Sequence, residues 1–419
     1  MHSVVIDQPY QFVPPYHGRL WPSALQRLIR RQLRREYGIE SLHFENLDRL
    51  RDSMSAGHSV LLAPNHCRPT DPAIVNELCR QVGVVPFTMA SWHIFMQSKW
   101  QRFLLRRLGA FSVYREGLDR QSLQAAIDIL QAGKRPLVVF PEGVITRTND
   151  RLIAMMEGVS FIARSAAKKR AAKKDSSTNQ TSSSGGKVVV HPIAIRYHFH
   201  GDIEEAIHQT LDQIEQRLSW QPRRDADIRD RIRRVGETLL GLKEMEYFGE
   251  VHQGEIAPRV ANLLDGILLP LEREWLGEPG EGNVVARVKR LRTEILQDMI
   301  NGDIDETERS RRWRHLADMY IAQQISHYPP DYIRSDPTPE RLLETIERFE
   351  EDLTDQCRIH RPMSATIQVG EAIEVSPKRT RGSDEDPVMT AVNRQMHEML
   401  EIEFPAAVEV NMPMANSDG

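Results

Sequence analysis

The chain has 419 residues, of which 27% are charged, and a net charge of −4 at pH 7. Its length allows two or three domains, and its mean hydropathy of −0.47 is typical of a protein with abundant polar surface. The near balance of charges predicts no nucleic-acid partner, so any anionic partner has to meet a local basic patch. Three cysteines without metal-ligand spacing, Cys67, Cys79 and Cys357, predict no metal site and fit a reducing compartment.

Targeting and membrane-spanning segments are not evident in the sequence. The first 24 residues contain scattered prolines and lack the apolar core of a signal peptide. The longest uncharged run, Gln81 to Ser98, contains Pro86 and His93 and fails as a membrane span. We therefore predict a cytoplasmic protein, and peripheral binding at the cytoplasmic face of the membrane stays open.

Residues 1–39 are predicted to form a proline-rich extended arm followed by an amphipathic helix at 21–37. The apolar residues of this helix share one face, and they are Leu25, Leu28, Ile29, Leu33 and Tyr37. Five arginines, at positions 27, 30, 31, 34 and 35, lie largely on the other face. Two interpretations stay open: an interfacial helix that makes peripheral contact with anionic lipid, or a surface helix that packs its stripe on the core.

Residues 40–200 alternate short apolar runs with helical segments of about ten residues. This pattern is typical of an α/β domain with a mixed, largely parallel sheet flanked by helices. Strands are predicted at 60–63, 84–89, 109–114, 136–140 and 188–197, and helices at 72–82, 121–131 and 152–167. The lysine- and serine-rich stretch at about 168–187 predicts a flexible loop. The aromatic residues between Ser91 and Leu108 either line a groove for an acyl chain or belong to the core.

Charged, periodic segments follow at 201–360 and predict an all-helical region of five or six helices, in which no internal repeat is evident. Strand character returns at 364–375, and a helix is predicted at 386–401. A tail at 406–419 completes the chain.

His66 and Asp71 are the first candidates for catalysis, because the buried strand at 60–63 delivers His66 to its carboxyl end, where open α/β sheets bind ligands. On a continuous helix their side chains would point about 140° apart. Pro69 and Pro72 argue against such a helix, so a turn can bring the carboxylate to the imidazole and create a general base. Asp71 before Pro72 is also a good helix cap, and this second interpretation stays open.

Four sequence islands occur in order, each at the end of a predicted strand. They are Asn65-His66 with Asp71, Gly109 to Arg115, Phe140-Pro-Glu-Gly143 with Thr146-Arg147, and Val190 to Ile195 containing Pro192. Together they resemble the four motif blocks of the glycerolipid acyltransferases, which include glycerol-3-phosphate and lysophosphatidate acyltransferases. The resemblance covers residues 40–200, with a lead-in at Phe44-Glu-Asn-Leu47. It resumes at Gln368 to Ile373, which is similar to a late strand of the family. It therefore implies that the region 201–360 is a helical insertion, and that residues 361–405 return to the core sheet and a C-terminal helix.

The resemblance implies transfer of a fatty acyl group from a thioester, acyl-CoA or acyl carrier protein, to the hydroxyl of glycerol-3-phosphate, lysophosphatidate or a related lipid alcohol. His66 would take the hydroxyl proton, and Asp71 would orient the imidazole. No metal and no cofactor beyond the acyl donor is implied. Cys67 adjoins the base, but the mechanism needs no covalent nucleophile.

The resemblance also implies roles in acceptor binding. Arg115 and Arg147 match arginines that face the acceptor phosphate, and a guanidinium offers a planar fork to phosphate oxygens. Glu142 matches a glutamate that contacts acceptor hydroxyls, Gly143 allows close backbone approach, and Asn65 precedes the base.

The third block departs from the family, because three residues at 144–146 separate its glycine from Arg147 where one is usual. Arg151 is therefore an alternative to Arg147 as the phosphate ligand.

Two other functions stay open. The first is a non-catalytic lipid-binding or scaffold protein that keeps the fold. The second is an acyltransferase for a phosphate-free acceptor, such as an ornithine lipid or a sugar lipid. The role of the helical insertion is also open: it can bind a carrier protein, cap an acyl tunnel or mediate dimerisation.

Overall fold

The structure is a computed structural model that describes residues 8–115, 119–175, 186–302, 304–328, 337–354, 356, 358–378 and 386–402. Several predictions fall partly or wholly outside these ranges. They concern the first seven residues of the arm, the loop between 176 and 185, parts of the regions 201–360 and 361–405, the tail at 406–419 and Cys357.

The described residues contain an eight-stranded mixed sheet. Its strands are β1 (Ile39–Glu45), β2 (Ser59–Pro64), β3 (Phe87–Ser91), β4 (Ala110–Val113), β5 (Leu137–Val138), β6 (Val188–Phe199), β7 (Met363–Val369) and β8 (Ile373–Glu374). The order across the sheet is β1-β7-β6-β2-β5-β3-β4, and β8 pairs with β6. Antiparallel pairing is confined to β6 with β7 and β6 with β8, and the other pairs are parallel. The predicted α/β class with a largely parallel sheet is confirmed.

Helices cover both faces of this sheet. They are α1 (Leu20–Tyr37), α2 (Leu47–Ser55), α3 (Asp71–Gln81), α4 (Trp92–Met96), α5 (Lys99–Arg107), α6 (Arg120–Ala132), α7 (Gly158–Asp175) and, at the other end of the chain, α14 (Pro387–Leu400). In β2, Leu61 packs with α6, α7 and α14 on one face, while Leu62 packs with α1, α2 and α3 on the other. Because β2 is buried on both sides, it reads as a continuous apolar run in the sequence.

Helix α7 differs from its prediction at both ends. It begins at Gly158 and not at 152, because the preceding residues form a loop in which the Met156 N–H donates to the Pro141 carbonyl (2.9 Å). It continues to Asp175 through the first part of the predicted loop at 168–187. Alanine, lysine and arginine are good helix formers, so this basic stretch continues the helix that precedes it.

Among the residues that the structure describes, six helices lie between β6 and β7, and we refer to this part of the chain as the insertion. They are α8 (Ile203–Arg217), α9 (Ile228–Phe248), α10 (Ile256–Leu276), α11 (Val284–Asn301), α12 (Glu306–Ser326) and α13 (Pro339–Thr354). The two flanking strands are antiparallel neighbours in the sheet, with Ile195 opposite Ile367. The six helices therefore leave the sheet at the end of β6 and return beside it at β7.

Successive helices of this region are joined by a recurring buried ion pair. The pairs are Arg231 with Glu215 (2.9 Å), Arg259 with Glu244 (2.6 Å) and Arg287 with Glu272 (2.7 Å). Each arginine lies 28 residues after the previous one, at 231, 259 and 287. Each pair therefore joins one helix to the helix before it, at a regular interval along the chain.

Helix α1 uses only part of its predicted apolar stripe to pack. Ile29 and Leu33 are buried in the core between α1 and the sheet, whereas Leu28 is 59% exposed. The five arginines of the helix are exposed. The packing interpretation therefore holds for one part of the stripe, and the exposed part is available for another contact.

Candidate active site

The predicted site residues follow the carboxyl ends of parallel strands. Asn65 and His66 follow β2, Arg115 follows β4, and Glu142 follows β5. Because β2, β3, β4, β5 and β6 run parallel to one another, these ends meet at a single edge of the sheet. Open α/β sheets bind their ligands at this edge.

His66 and Asp71 are in direct contact. The His66 Nδ1 donates to Asp71 Oδ2 at 2.8 Å, which leaves Nε2 as the ring nitrogen that can accept a proton. The imidazole packs on the Phe140 ring, with ring centroids 4.2 Å apart, and its side chain keeps 15% exposure. Asp71 is fully buried and begins helix α3 with Pro72, so it starts a helix and also contacts the base.

The Asp71 carboxylate is fully engaged by donors. Oδ2 also accepts from the Arg68 backbone N–H (2.8 Å), and Oδ1 accepts from the hydroxyl of Tyr197 (2.5 Å). The Thr70 hydroxyl lies 2.5 Å from the same phenol oxygen. Burial, followed by the Asp71 charge, raises the pKa of Tyr197, so the phenol stays protonated and donates. These contacts hold the carboxylate in one orientation toward the imidazole.

Two asparagines attach the neighbouring strand β6 to the site. The Asn65 amide donates to the Ile195 carbonyl (3.0 Å) and accepts from the Ile195 N–H (2.8 Å). Asn149 makes the same pair of contacts with Tyr197, at 2.5 Å and 2.7 Å. Asn65, predicted to bind substrate, is therefore 2% exposed and engaged with the backbone of β6.

The loop after β5 holds the backbone of His66. Glu142 Oε1 accepts from the His66 N–H (2.7 Å), and Oε2 accepts from the Ile153 N–H (3.1 Å). The Thr146 N–H donates to the His66 carbonyl (2.8 Å). Glu142, predicted to contact an acceptor hydroxyl, thus positions the base in this structure. Thr146 lies among the extra residues of the third block, which therefore make the return contact to His66.

Burial raises the pKa of Glu142 to about 7. The two backbone N–H donors favour the charged carboxylate, and the nearby charge of Asp71 opposes it.

Gly143 makes the turn of this loop, with φ at +70°, and a Cβ there would lie 2.3 Å from Cε of Met156. An L side chain would therefore be strained in the backbone and would displace Met156. Arg147 also has positive φ, at 59°, and its guanidinium is paired with Glu351 at 2.5 Å. Arg151 lies four residues further along, and its carbonyl accepts from the Thr148 hydroxyl (3.2 Å).

The charge of Arg115 acts on two histidines, His93 and His327. Burial lowers the pKa of His93 to about 4 and that of His327 to about 4, and the positive charge of Arg115 contributes to both shifts. The charge of Arg348 also lowers the pKa of His327. Arg115 is therefore near α4 on one side and near the end of α12 on the other.

Helix α13 from the insertion covers this edge of the sheet. Glu347 pairs with Arg68 at 3.2 Å, and Glu351 pairs with Arg147. Arg348 donates to the Thr146 carbonyl at 2.5 Å. Further contacts join Arg341 to Asp150 (2.7 Å) and the Asn149 N–H to Glu344 (3.3 Å). The last helix of the insertion is thus attached to the loop that positions His66.

Cys67 is an inert neighbour of the base. Its sulfur is buried, 3.9 Å from Asp71 Oδ1 and 3.8 Å from the Ile195 carbonyl oxygen. Burial and the Asp71 charge raise the pKa of the Cys67 thiol well above its usual value. A thiol of this kind is a poor nucleophile, in keeping with the prediction that Cys67 has no covalent role.

A comparison with protein-family models matches residues 41–196 to the family described as Acyltransferase. The chain contains an acyltransferase domain. This match confirms the predicted resemblance to the glycerol-3-phosphate and lysophosphatidate type of acyltransferase. No curated protein and no solved structure matched the chain significantly.

The match ends at Arg196, one residue before the tyrosine that holds Asp71. Tyr197 was not singled out in the sequence, where it continues the buried face of β6 after Ile193 and Ile195 and reads as core. The one feature of the sequence that points to a role for Tyr197 is that a buried phenol needs a hydrogen-bond partner. The contacts of α13 carry no sequence signal at all, because Glu347 is 279 residues away from Arg68.

Within the described ranges, no cluster of three or more His, Cys, Asp or Glu side chains is arranged to hold a metal ion around the acyltransferase domain or elsewhere. Among the described helices, none combines the length and apolar character that crossing a bilayer requires.

Proposed function

We propose that the protein transfers a fatty acyl group from acyl-CoA or acyl carrier protein to the hydroxyl of glycerol-3-phosphate, lysophosphatidate or a related lipid alcohol. The contact between His66 Nδ1 and Asp71 Oδ2, inside a domain of the acyltransferase family, is the observation that carries this proposal. It gives the imidazole a fixed tautomer with Nε2 directed away from the carboxylate. This arrangement suits an imidazole that acts as a general base.

In the proposed reaction, the acceptor hydroxyl attacks the thioester carbonyl carbon while His66 Nε2 takes its proton. A carbon–oxygen bond forms, and the carbonyl oxygen becomes an oxyanion. The intermediate then collapses, the carbon–sulfur bond breaks, and the leaving thiolate takes the proton back from His66. Asp71 stabilises the imidazolium between these two steps, and the contacts of Tyr197 and Arg68 keep Asp71 in place.

The proposed acceptor phosphate would bind arginine. Arg147 is the first candidate, although its guanidinium is paired with Glu351 here. A phosphate dianion would have to exchange with this carboxylate, or Arg151 would take the role. The Glu351 pair is also the one observation that favours an acceptor without a phosphate, because Arg147 then keeps its partner.

Acyl-donor consumption by the purified protein tests the proposal. We expect His66→Ala to lower the rate by more than about 10²-fold, since a positioned base contributes roughly 10² to 10⁴. His43→Ala, at an exposed position of β1, is the matched control and should keep full activity. Unchanged turnover in His66→Ala, with both variants folded by circular dichroism, would remove the base from the mechanism.

Product identification separates the proposed function from its alternatives. The wild-type protein is incubated with mixed acyl donors and a panel of lipid alcohols, with and without phosphate, and the products are identified by mass spectrometry. Acylated glycerol-3-phosphate or lysophosphatidate supports the proposal. Acylation confined to phosphate-free acceptors supports the second acceptor class, and saturable lipid binding without thioester consumption supports a binding protein.

A further inference from the structure

Two helices, α1 just before the matched region and α5 within it, present bulky apolar side chains to solvent at one place. In α1, Leu20 is 85% exposed and Trp21 is 45% exposed, and in α5, Trp100 is 68% exposed. Phe103 connects them, since its ring stacks on Trp100 (centroids 5.6 Å apart) and meets Trp21 edge-on (6.0 Å). We call Trp21, Phe103 and Trp100 the aromatic ridge. Exposed indoles in a continuous cluster are unusual on a surface that faces only water.

The surroundings of the aromatic ridge are strongly basic. Helices α1 and α5 together contain nine Lys or Arg residues and one acidic residue, Glu36, in a chain whose net charge is −4. The Arg107 guanidinium lies over the rings of Trp21 (5.5 Å) and Phe103 (5.0 Å), and so links the aromatic and the basic parts. The positive charge is therefore local and coincides with the exposed apolar surface.

Helix α1 packs on the domain in a way that leaves part of its apolar and basic side chains exposed to solvent. Ile29 and Leu33 are buried against the domain, while Leu28 is 59% exposed, about two turns from Trp21 along the helix. Arg27 and Arg31 are exposed beside Leu28. In α5, no residue is buried. Helix α1 thus attaches to the domain by one side, and both helices offer exposed side chains to a partner.

We propose that the aromatic ridge and the arginines of α1 dock the domain on an anionic phospholipid surface. Indoles are preferred at the boundary between headgroups and acyl chains, where an apolar ring with a polar edge is well solvated. Arginines beside them gain from the negative potential of anionic headgroups. The inference rests on the proposed function for its purpose, which is to bring the domain to a lipid acceptor, but the docking itself can be measured without any substrate.

Vesicle sedimentation of the full chain tests the docking. The wild-type protein should bind vesicles of phosphatidylcholine with about 30% phosphatidylglycerol at least tenfold more strongly than vesicles of phosphatidylcholine alone. Added salt should weaken this binding, because exposed charges are screened. Failure of the wild-type protein to bind the anionic vesicles would overturn the proposal, as would equal binding to both vesicle types.

Surface variants locate the contact. We expect Arg27→Glu with Arg31→Glu, and separately Trp21→Ser with Trp100→Ser, to lower binding at least tenfold. The matched control is Leu242→Ser with Met245→Ser, which removes two side chains of α9 that are 56% and 50% exposed and should bind like the wild type. If the ridge variants bind normally, the surface is assigned wrongly. If the wild type is a stable dimer that the ridge variants convert to monomers, the ridge covers a second copy of the chain.

Acyl transfer to soluble glycerol-3-phosphate, measured without vesicles, separates this inference from the proposed function. The ridge variants should retain the wild-type rate within about twofold, because they lie outside the His66 site. A wild type that acylates no acceptor of the lipid-alcohol panel but binds anionic vesicles refutes the proposed function and supports the docking surface. A wild type that is active but does not bind anionic vesicles supports the proposed function and refutes the docking surface.

Discussion

At the scale of single residues, the site depends on how a buried carboxylate is satisfied. Asp71 is removed from water and receives an imidazole, a backbone N–H and a phenol. Each donor fixes the direction of one lone pair of the carboxylate. The donors that hold Asp71 therefore also determine the orientation of the His66 ring. Tyr197 is the one side chain among them, besides His66, that a conservative substitution can remove.

We predict that Tyr197→Phe lowers kcat about tenfold or more with little change in KM, because Oδ1 of Asp71 loses its strong donor while the ring is preserved. An unsatisfied buried acceptor also costs about 1–3 kcal/mol of stability. Tyr247→Phe is the matched control, since Tyr247 donates to Asp318 (2.7 Å) within the insertion. It should lose stability and keep kcat. Equal kcat values in both variants would show that Tyr197 is structural only.

The raised pKa of Glu142 predicts that the stability of the protein depends on pH. Its pKa rises from 4.5 in the unfolded chain to about 7 in the folded protein, mainly through burial. The folded state therefore binds more protons between these values, and its stability falls as the pH rises from about 4.5 to about 7. The contribution is at most about 3 kcal/mol, from 1.36 kcal/mol for each pKa unit.

Urea unfolding of the wild type and of Glu142→Gln, measured from pH 4.5 to 7.5, checks this dependence. The uncharged amide resembles the protonated carboxyl, so the stability advantage of the wild type should shrink as the pH rises. Parallel curves for the two proteins would mean that Glu142 does not titrate in this range.

At the scale of elements, α13 and the loop after β5 form one unit around His66. The loop holds the base through Glu142 and Thr146, and α13 holds the loop through Arg348 and Glu351. Movement of α13 must therefore alter the environment of Arg147. This arrangement connects the insertion directly to Arg147, the residue proposed to bind the acceptor phosphate.

We predict that Glu351→Gln lowers KM for a phosphate-bearing acceptor by up to about fivefold, because a partly exposed ion pair is worth about 0.2–1 kcal/mol and phosphate must replace it. KM for the acyl donor should not change. Glu350→Gln, which removes the neighbouring carboxylate paired with Arg358, is the control on the same helix. An unchanged or higher acceptor KM in Glu351→Gln would exclude Arg147 as the phosphate ligand.

At the scale of the whole molecule, the insertion is a helical array held by repeated buried ion pairs and attached to the sheet at both ends. Because breaking a buried pair leaves an uncompensated charge, each pair contributes to the integrity of the array. Ion pairs at exposed positions contribute less to stability than buried pairs, since water screens the attraction between their charges. The chain offers both kinds within one helix, α11.

We predict that Arg287→Met destabilises the protein by about 3–5 kcal/mol, because its partner Glu272 is fully buried. Arg290→Met removes a pair with Glu278 in which the side chains are 49% and 65% exposed, and it should cost less than about 1 kcal/mol. Thermal and urea unfolding followed by circular dichroism measure both. Similar losses in the two variants would contradict the structural distinction.

The amino-acid sequence is enough to predict the fold class, the type of domain and the contact between His66 and Asp71. These depend on local signals: apolar runs that become strands, prolines that break a helix, and motif residues at strand ends. Boundaries were less certain, as α7 illustrates, because a basic helix and a basic loop have similar compositions.

The groups that surround His66 and Asp71 become visible when the chain is folded. Tyr197 reaches Asp71 because β6 lies beside β2, and α13 reaches Arg147 because the chain returns to the sheet after six helices. The positions of Asn65 and Glu142 against backbone groups were equally hidden, since a motif identifies a residue but not the direction of its side chain. Contacts between residues more than a hundred positions apart leave no periodic trace in one sequence, because they are selected by packing and not by local backbone preference.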